Sequence, residues 1–128
     1  DNQALEGIKV AVWGLTFKPE TDDVRNAPSI YIINKLLSKG AIVNAMDPKA
    51  SKKKVDNIFD HSNFSLIDSQ YDILQDADCL LLLTEWREFR SPDFDKIKSL
   101  MKSLIIFDGR NLYNRVELEA LGFELHQI

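Results

Sequence analysis

At 128 residues and 14.7 kDa, the chain suits one domain that buries roughly two-thirds of its unfolded surface without a staple. An apolar share of 45% with 5 Gly and 4 Pro excludes a disordered or fibrous protein. A net charge of -4 and a pI near 5.1 exclude a general nucleic-acid binder, so any anion site has to be local.

Lys9-Val10-Ala11-Val12-Trp13 reads as a buried strand that opens abruptly at Gly14. A helix is expected from near Asn26-Ala27-Pro28, with a polar cap and an early proline. It carries Ile30, Ile33, Leu36 and Leu37 on one face and stops at Gly40. Ile42-Val43-Asn44-Ala45-Met46 reads as a second strand ending at Asp47-Pro48, which completes a βαβ unit. Lys52-Lys53-Lys54, beside Ser51, reads as a solvated helix face rather than a phosphate site.

The alternation then repeats: a weak strand near Phe64 to Ile67, a helix from about Ser69 to Gln75, a strong strand from Cys79 to Leu83, a helix around Phe94 to Met101, and a strand from Leu104 to Phe107. A short helix at Val116 to Leu121 and a last strand, Phe123 to Gln127, follow. The pattern predicts a single α/β domain over residues 1–128: a doubly wound, mostly parallel, Rossmann-like sheet of about six strands with helices on both faces.

Right-handed crossovers put every loop that leaves a strand's C-terminal end on one edge of the sheet, and ligands bind there at the switch in strand order. That edge juxtaposes the loop after the first strand (Gly14 to Arg25) with those after the fourth (Thr84 to Arg90) and fifth (Asp108 to Arg115). Lys18, Arg25 and Arg110 are therefore expected to converge. Three cations gathered on an acidic domain favour an anionic ligand, because ammonium and guanidinium groups satisfy phosphate oxygens by charge-assisted hydrogen bonds of about 1.5–3 kcal/mol each. Two or three such bonds suffice for a nucleotide diphosphate at micromolar strength.

The glycine-rich turn of a dinucleotide site is missing: Gly14-Leu15-Thr16-Phe17-Lys18-Pro19 has one glycine where G-x-G-x-x-G is needed. Asp47 ends the second strand as a ribose-binding acid would, but it lies 33 positions after Gly14 instead of about 20, and Pro48 follows it.

Three segments are specific: Gly14-Leu15-Thr16-Phe17-Lys18-Pro19-Glu20-Thr21-Asp22-Asp23-Val24-Arg25, Thr84-Glu85-Trp86-Arg87-Glu88-Phe89 and Phe107-Asp108-Gly109-Arg110-Asn111. In that order and spacing they closely resemble the C-terminal, UDP-binding domain of UDP-glucose 6-dehydrogenases, within the UDP-glucose/GDP-mannose dehydrogenase family. The resemblance covers nearly the whole chain. It implies part of an enzyme that oxidises the C6 alcohol of UDP-glucose to UDP-glucuronate with NAD, through a cysteine nucleophile located elsewhere. The catalytic, NAD-binding N-terminal domain and the central dimerisation domain are then absent from this sequence, and the chain alone is expected to be inactive.

By the same resemblance Phe17 and Lys18 contact the UDP-sugar, with Lys18 near the diphosphate, and Arg110 also binds the substrate nucleotide. Arg25 either reaches the NAD held mainly by the N-terminal domain or pairs with Asp22 or Asp23. The resemblance further implies contact with the chain's own N-terminal domain and a homo-oligomeric full-length enzyme. Asn26-Ala27 departs from the family, which often has an acidic residue and a serine before the proline; Thr84-Glu85-Trp86 favours the UDP-glucose branch. The alternatives are a dehydrogenase of GDP-mannose or of a UDP-N-acetylated sugar, and a freestanding nucleotide-binding module.

No catalytic or metal-binding residues are assigned. Cys79, flanked by Asp78 and leucines, reads as a buried strand residue, and a lone cysteine fits a reducing compartment. Asp22 and Asp23 read as loop-ordering acids, Trp86 and Phe89 as packing residues of the pocket wall, and His61 and His126 carry no assignment. The longest apolar run, Cys79 to Leu83, is far short of a bilayer span, and Asp1-Asn2-Gln3 has no targeting character. Without an initiator methionine the chain is expected to be a piece of a longer cytoplasmic protein.

Overall fold

A computed structural model describes residues 4–15 and 28–127. In chain order its elements are β1 (Lys9–Trp13), α1 (Pro28–Ser38), β2 (Ile42–Met46), α2 (Lys52–Ile58), β3 (Phe64–Leu66), a 3-10 turn (Asp72–Leu74), β4 (Cys79–Leu82), α3 (Arg87–Arg90), α4 (Phe94–Leu100), β5 (Ile105–Asp108), α5 (Arg115–Ala120) and β6 (Glu124–Gln127). The six strands form one sheet in the order β3-β2-β1-β4-β5-β6, with every neighbouring pair parallel. Strand order reverses between β1 and β4, where the doubly wound topology opens its ligand crevice.

Period-two alternation assigns the core. Val10 and Val12 of β1 face one side with Val43 and Ala45 of β2, against Ile33 and Leu37 of α1 and Val55 of α2. Ala11 and Trp13 face the other side with Leu80 and Leu82 of β4, Ile106 and Leu125, where the 3-10 turn, α3, α4 and α5 cover them. Trp13 is fully buried at the centre of this layer, stacked on Phe89 at 5.0 Å and donating from its indole to the Gln70 carbonyl at 2.9 Å. Ser51, Asp93 and Asn114 cap α2, α4 and α5 by accepting from backbone N–H groups three residues on. Lys52, Lys53 and Lys54 lie on the exposed face of α2, as the sequence suggested.

The bounds of β3, β4, α4, α5 and β6 differ from expectation by one residue, and three further elements differ. The helix from Ser69 to Gln75 is a single 3-10 turn, because Asp76 takes a left-handed backbone (φ 59°) and ends it, while Ser69 Oγ accepts from the Asp72 N–H at its start. The segment from Thr84 to Arg90, expected as loop, contains the one-turn helix α3, whose buried Phe89 draws it onto the core. β5 is displaced by one residue, leaving out Leu104 and including Asp108, which pairs in register with Leu82. No described helix is long and apolar enough to cross a membrane.

Candidate functional site

The loops at the C-terminal edge of the sheet are tied together by two buried carboxylates. Asp47, directly after β2, accepts the Leu15 N–H (2.8 Å) and the Trp86 indole N–H (3.2 Å) on Oδ2, and the N–H groups of Lys49 (2.9 Å) and Ala50 (3.1 Å) on Oδ1. One side chain thus fixes the loops after β1, β2 and β4 to each other. The carboxylate is buried and faces protein donors, in keeping with the poor spacing of Asp47 for a ribose-binding acid.

Asp108, at the end of β5, does the same for the next turn. Its Oδ1 accepts the Arg110 N–H (3.0 Å), and its Oδ2 accepts the Tyr113 N–H (2.9 Å) and the Gln127 side-chain amide (3.0 Å). The Tyr113 hydroxyl then donates to the Phe89 carbonyl at 2.6 Å, which joins the turn after β5 to α3. Burial pushes the Tyr113 phenol well above its ordinary value, with the neighbouring Asp108 charge adding to the effect, so the hydroxyl stays a donor.

Gly14, just after β1, lies close against Thr84, just after β4. Its φ is +98°, and a Cβ placed on it would lie 2.4 Å from Thr84 Cβ and 2.8 Å from the Thr84 backbone nitrogen. Thr84 is itself buried. That contact leaves no room for a side chain at position 14. With one glycine in the turn and the Asp47 carboxylate bonded to protein N–H groups, the two usual features of a dinucleotide crevice are missing from the described residues.

Arg110 projects from the turn that Asp108 shapes and remains partly exposed. One guanidinium nitrogen, Nη2, donates to Glu85 Oε1 at 2.7 Å, and Arg90 Nη2 lies 3.8 Å from Glu85 Oε2. The hydrogen bond from Arg110 holds the Glu85 carboxyl below the ordinary carboxylate range, with the charges of Arg110 and Arg90 acting in the same direction. The three groups sum to one positive charge at the mouth of the edge, which favours an anion there. Phe17, Lys18 and Arg25 lie outside the described residues, as do Asp22 and Asp23. Of the three cations expected to converge, the structure places Arg110 alone.

Trp86 and Phe89 are packing residues, as expected, and Trp86 adds a hydrogen bond to Asp47 that sequence spacing does not reveal. Glu85 and Arg90 were not singled out in advance; the Thr84-Glu85-Trp86 segment was the available signal. Cys79 is only half-buried, against the expectation of a core residue, because no described helix covers its face of β4. Its remaining burial still pushes the thiol up to about 11, with Asp78 contributing. His126 stacks on Phe107 at 4.9 Å and pairs with Glu124 at 2.6 Å. Among the described residues no three of His, Cys, Asp and Glu are grouped as metal ligands.

With this geometry in hand, the comparisons with known proteins converge. The sequence model of the UDP-glucose/GDP-mannose dehydrogenase family, UDP binding domain, matches residues 11–115. The chain is 43% identical over 121 residues to a UDP-glucose 6-dehydrogenase of Pseudomonas aeruginosa, covering 92% of this chain and 27% of that protein. It is 39% identical over 127 residues to a UDP-glucose 6-dehydrogenase of Rickettsia bellii, covering 99% of this chain and 29% of that one. The chain therefore spans less than a third of the length of these curated relatives. Among solved structures it superposes on an NDP-N-acetyl-D-galactosaminuronic acid dehydrogenase of Methanosarcina mazei with a TM-score of 0.82 at 27% identity, covering 98% of this chain and 25% of that one. A UDP-D-ManNAc dehydrogenase of Pyrococcus horikoshii gives a TM-score of 0.75 at 28% identity, covering 98% of this chain and 26% of that one.

Proposed function

Since the chain belongs to the UDP-glucose/GDP-mannose dehydrogenase family, as its UDP-binding domain, we propose that it forms the nucleotide half of the substrate site in an NAD-dependent UDP-glucose 6-dehydrogenase. The full-length enzyme oxidises UDP-glucose to UDP-glucuronate. NAD and the nucleophile are supplied by the remainder of the polypeptide, and this domain contributes binding and orientation. In this reading the enzyme is a cytoplasmic homo-oligomer.

The observation that carries the proposal is the placement of Arg110. Its backbone is fixed by Asp108, and its guanidinium reaches the loop after β4, the strand at the topological switch. A diphosphate bound at this edge takes charge-assisted hydrogen bonds from Arg110 and, by family resemblance, from Lys18, while Phe17 lies against the sugar. Arg25 contacts the cofactor across the domain boundary. UDP-glucose is preferred over other nucleotide sugars because the curated relatives at 35–43% identity are named for it.

Calorimetric titration with UDP, UDP-glucose, GDP and NAD, on the wild-type domain and on Arg110→Ala, tests the assignment. Loss of one charge-assisted bond of about 1.5–3 kcal/mol predicts a UDP affinity about 10- to 150-fold weaker in the variant. Unchanged UDP affinity in a folded Arg110→Ala protein would refute the role of Arg110. Equal affinity for GDP and UDP would refute the choice of nucleotide.

A further inference from the structure

One half of one sheet face has no helix over it among the described residues. On β4, Leu80 and Leu82 point into the layer covered by α3, α4 and α5, while Cys79 and Leu81, with Leu83 just beyond the strand, point the other way. There they meet Phe107 of β5, which is 42% exposed, and form an apolar groove of about 400 Å³. Ile32 and Leu36 of α1 make one wall. The opposite rim is polar, set by the Glu124–His126 pair on β6 and the stack of His126 on Phe107.

A parallel sheet is normally covered on both faces, because strands reached by crossovers are apolar on both sides. The bare floor spans β4 and β5, roughly 10–15 Å from the wall of α1 to the polar rim at a strand spacing of about 4.8 Å. That width admits one α-helix, whose diameter with side chains is about 10–12 Å. Leu5 and Ile8, where the chain approaches β1, also line the groove, and the Leu5 N–H is anchored to the Lys39 carbonyl at 2.8 Å. The described chain thus enters β1 beside the groove.

A second copy of this chain fits less well. An isologous pairing would set one concave floor against another, leaving both unfilled. The other large exposed hydrophobics among the described residues, Tyr31 on α1 and Val116 on α5, stand singly and form no ridge to enter the groove. The curated relatives, by contrast, have about 70% of their length outside the region that matches this chain.

We infer that the groove over β4 and β5 is the seat of an amphipathic α-helix contributed by the part of the dehydrogenase polypeptide that lies outside these 128 residues. This rests on the reading of the chain as a domain of a longer enzyme, and it adds the surface and the kind of element that closes the sheet. Docking there leaves the C-terminal edge, with Arg110, open to substrate.

The test replaces Phe107 with the photoreactive p-benzoyl-L-phenylalanine in the full-length protein, with Leu81 replaced in a second variant in case the first fails to fold. After irradiation, peptide mass spectrometry locates the adducts, and UDP binding is measured on the same samples. Adducts joining position 107 or 81 to one helical stretch outside the 128 residues are the expected result. Adducts confined to these 128 residues, whether in the same chain or in a second copy, would overturn the inference, as would folded variants that give no adduct. Since the cross-link does not depend on nucleotide, a protein that fails to bind UDP yet cross-links as expected would count against the functional reading alone.

Discussion

Replacing Asp47 with alanine separates a structural carboxylate from a ligand-binding one. Asp47 is buried and accepts four N–H groups, of which those of Leu15 and Trp86 lie in buried surroundings, whereas those of Lys49 and Ala50 are in a turn that water can reach. Counting only the two buried donors, each left unsatisfied at about 1–3 kcal/mol, the variant loses about 2–6 kcal/mol of stability. That is a large part of the roughly 5–15 kcal/mol that holds a domain of this kind together. For a chain of this length about 1 kcal/mol corresponds to about 4 °C, so the thermal midpoint is expected to fall by about 8–24 °C. Differential scanning calorimetry gives the midpoint, and urea titration gives the free energy with an unchanged m-value. If Asp47 were instead a ribose ligand, the variant would keep its midpoint and lose only nucleotide affinity. A midpoint within about 2 °C of wild type would therefore refute the role assigned to this carboxylate.

Gly14→Ala is expected to lower stability by about 2–5 kcal/mol, combining the left-handed backbone with overpacking against Thr84; Gly7→Ala, also at positive φ but with open space around it, is expected to cost about 1–2 kcal/mol. Equal denaturation midpoints for the two variants would show that the Thr84 contact is unimportant. Tyr113→Phe removes the donor to the buried Phe89 carbonyl and should cost about 1–3 kcal/mol in urea unfolding; a neutral result would mean that water reaches that carbonyl. Alkylation of Cys79 by iodoacetamide should be slow at pH 8 and accelerate about tenfold per pH unit until about pH 11, where its thiol titrates; a plateau near pH 9 would refute the burial effect. The folded thiol holds its proton more tightly than the unfolded one. Its contribution to stability is accordingly complete below pH 9.0 and is lost as the pH rises through about 11.

Legibility in the sequence followed from how local each cause is. β1 and β2 are short, mostly apolar runs ended by Gly14 and Asp47, and both were placed to the residue. The switch between β1 and β4 followed from alternation of strand and helix plus the handedness of crossovers, which needs no side-chain detail. The 3-10 turn at Asp72–Leu74 was misread because its helical pattern is cut off by one backbone angle at Asp76, and composition does not encode that angle. The roles of Asp47 and Asp108 were hidden for another reason: their partners are backbone N–H groups and an indole brought in from distant loops. Among the candidate site residues, Arg110 was proposed because a family motif carries it. Its partner Glu85, 25 positions away, becomes visible only when the β4 and β5 loops are side by side.

The acidity of the chain and its proposed anionic ligand are reconciled by where the carboxylates point. Asp47 and Asp108 carry two of the negative charges nearest the edge, but each spends its lone pairs on N–H donors inside the loops, so their fields are opposed by aligned backbone dipoles. Glu85 faces outward but lies between Arg110 and Arg90, leaving this cluster of described residues net positive. A diphosphate approaching that cluster meets two guanidinium groups against one carboxylate, despite a whole-chain charge of -4. The attraction is short-ranged, as a Debye length of about 8 Å at physiological salt requires of a site on an acidic surface. Binding should consequently depend on salt through the few ions displaced at Arg110 and its neighbours. Long-range steering of the ligand by the domain as a whole would contribute little.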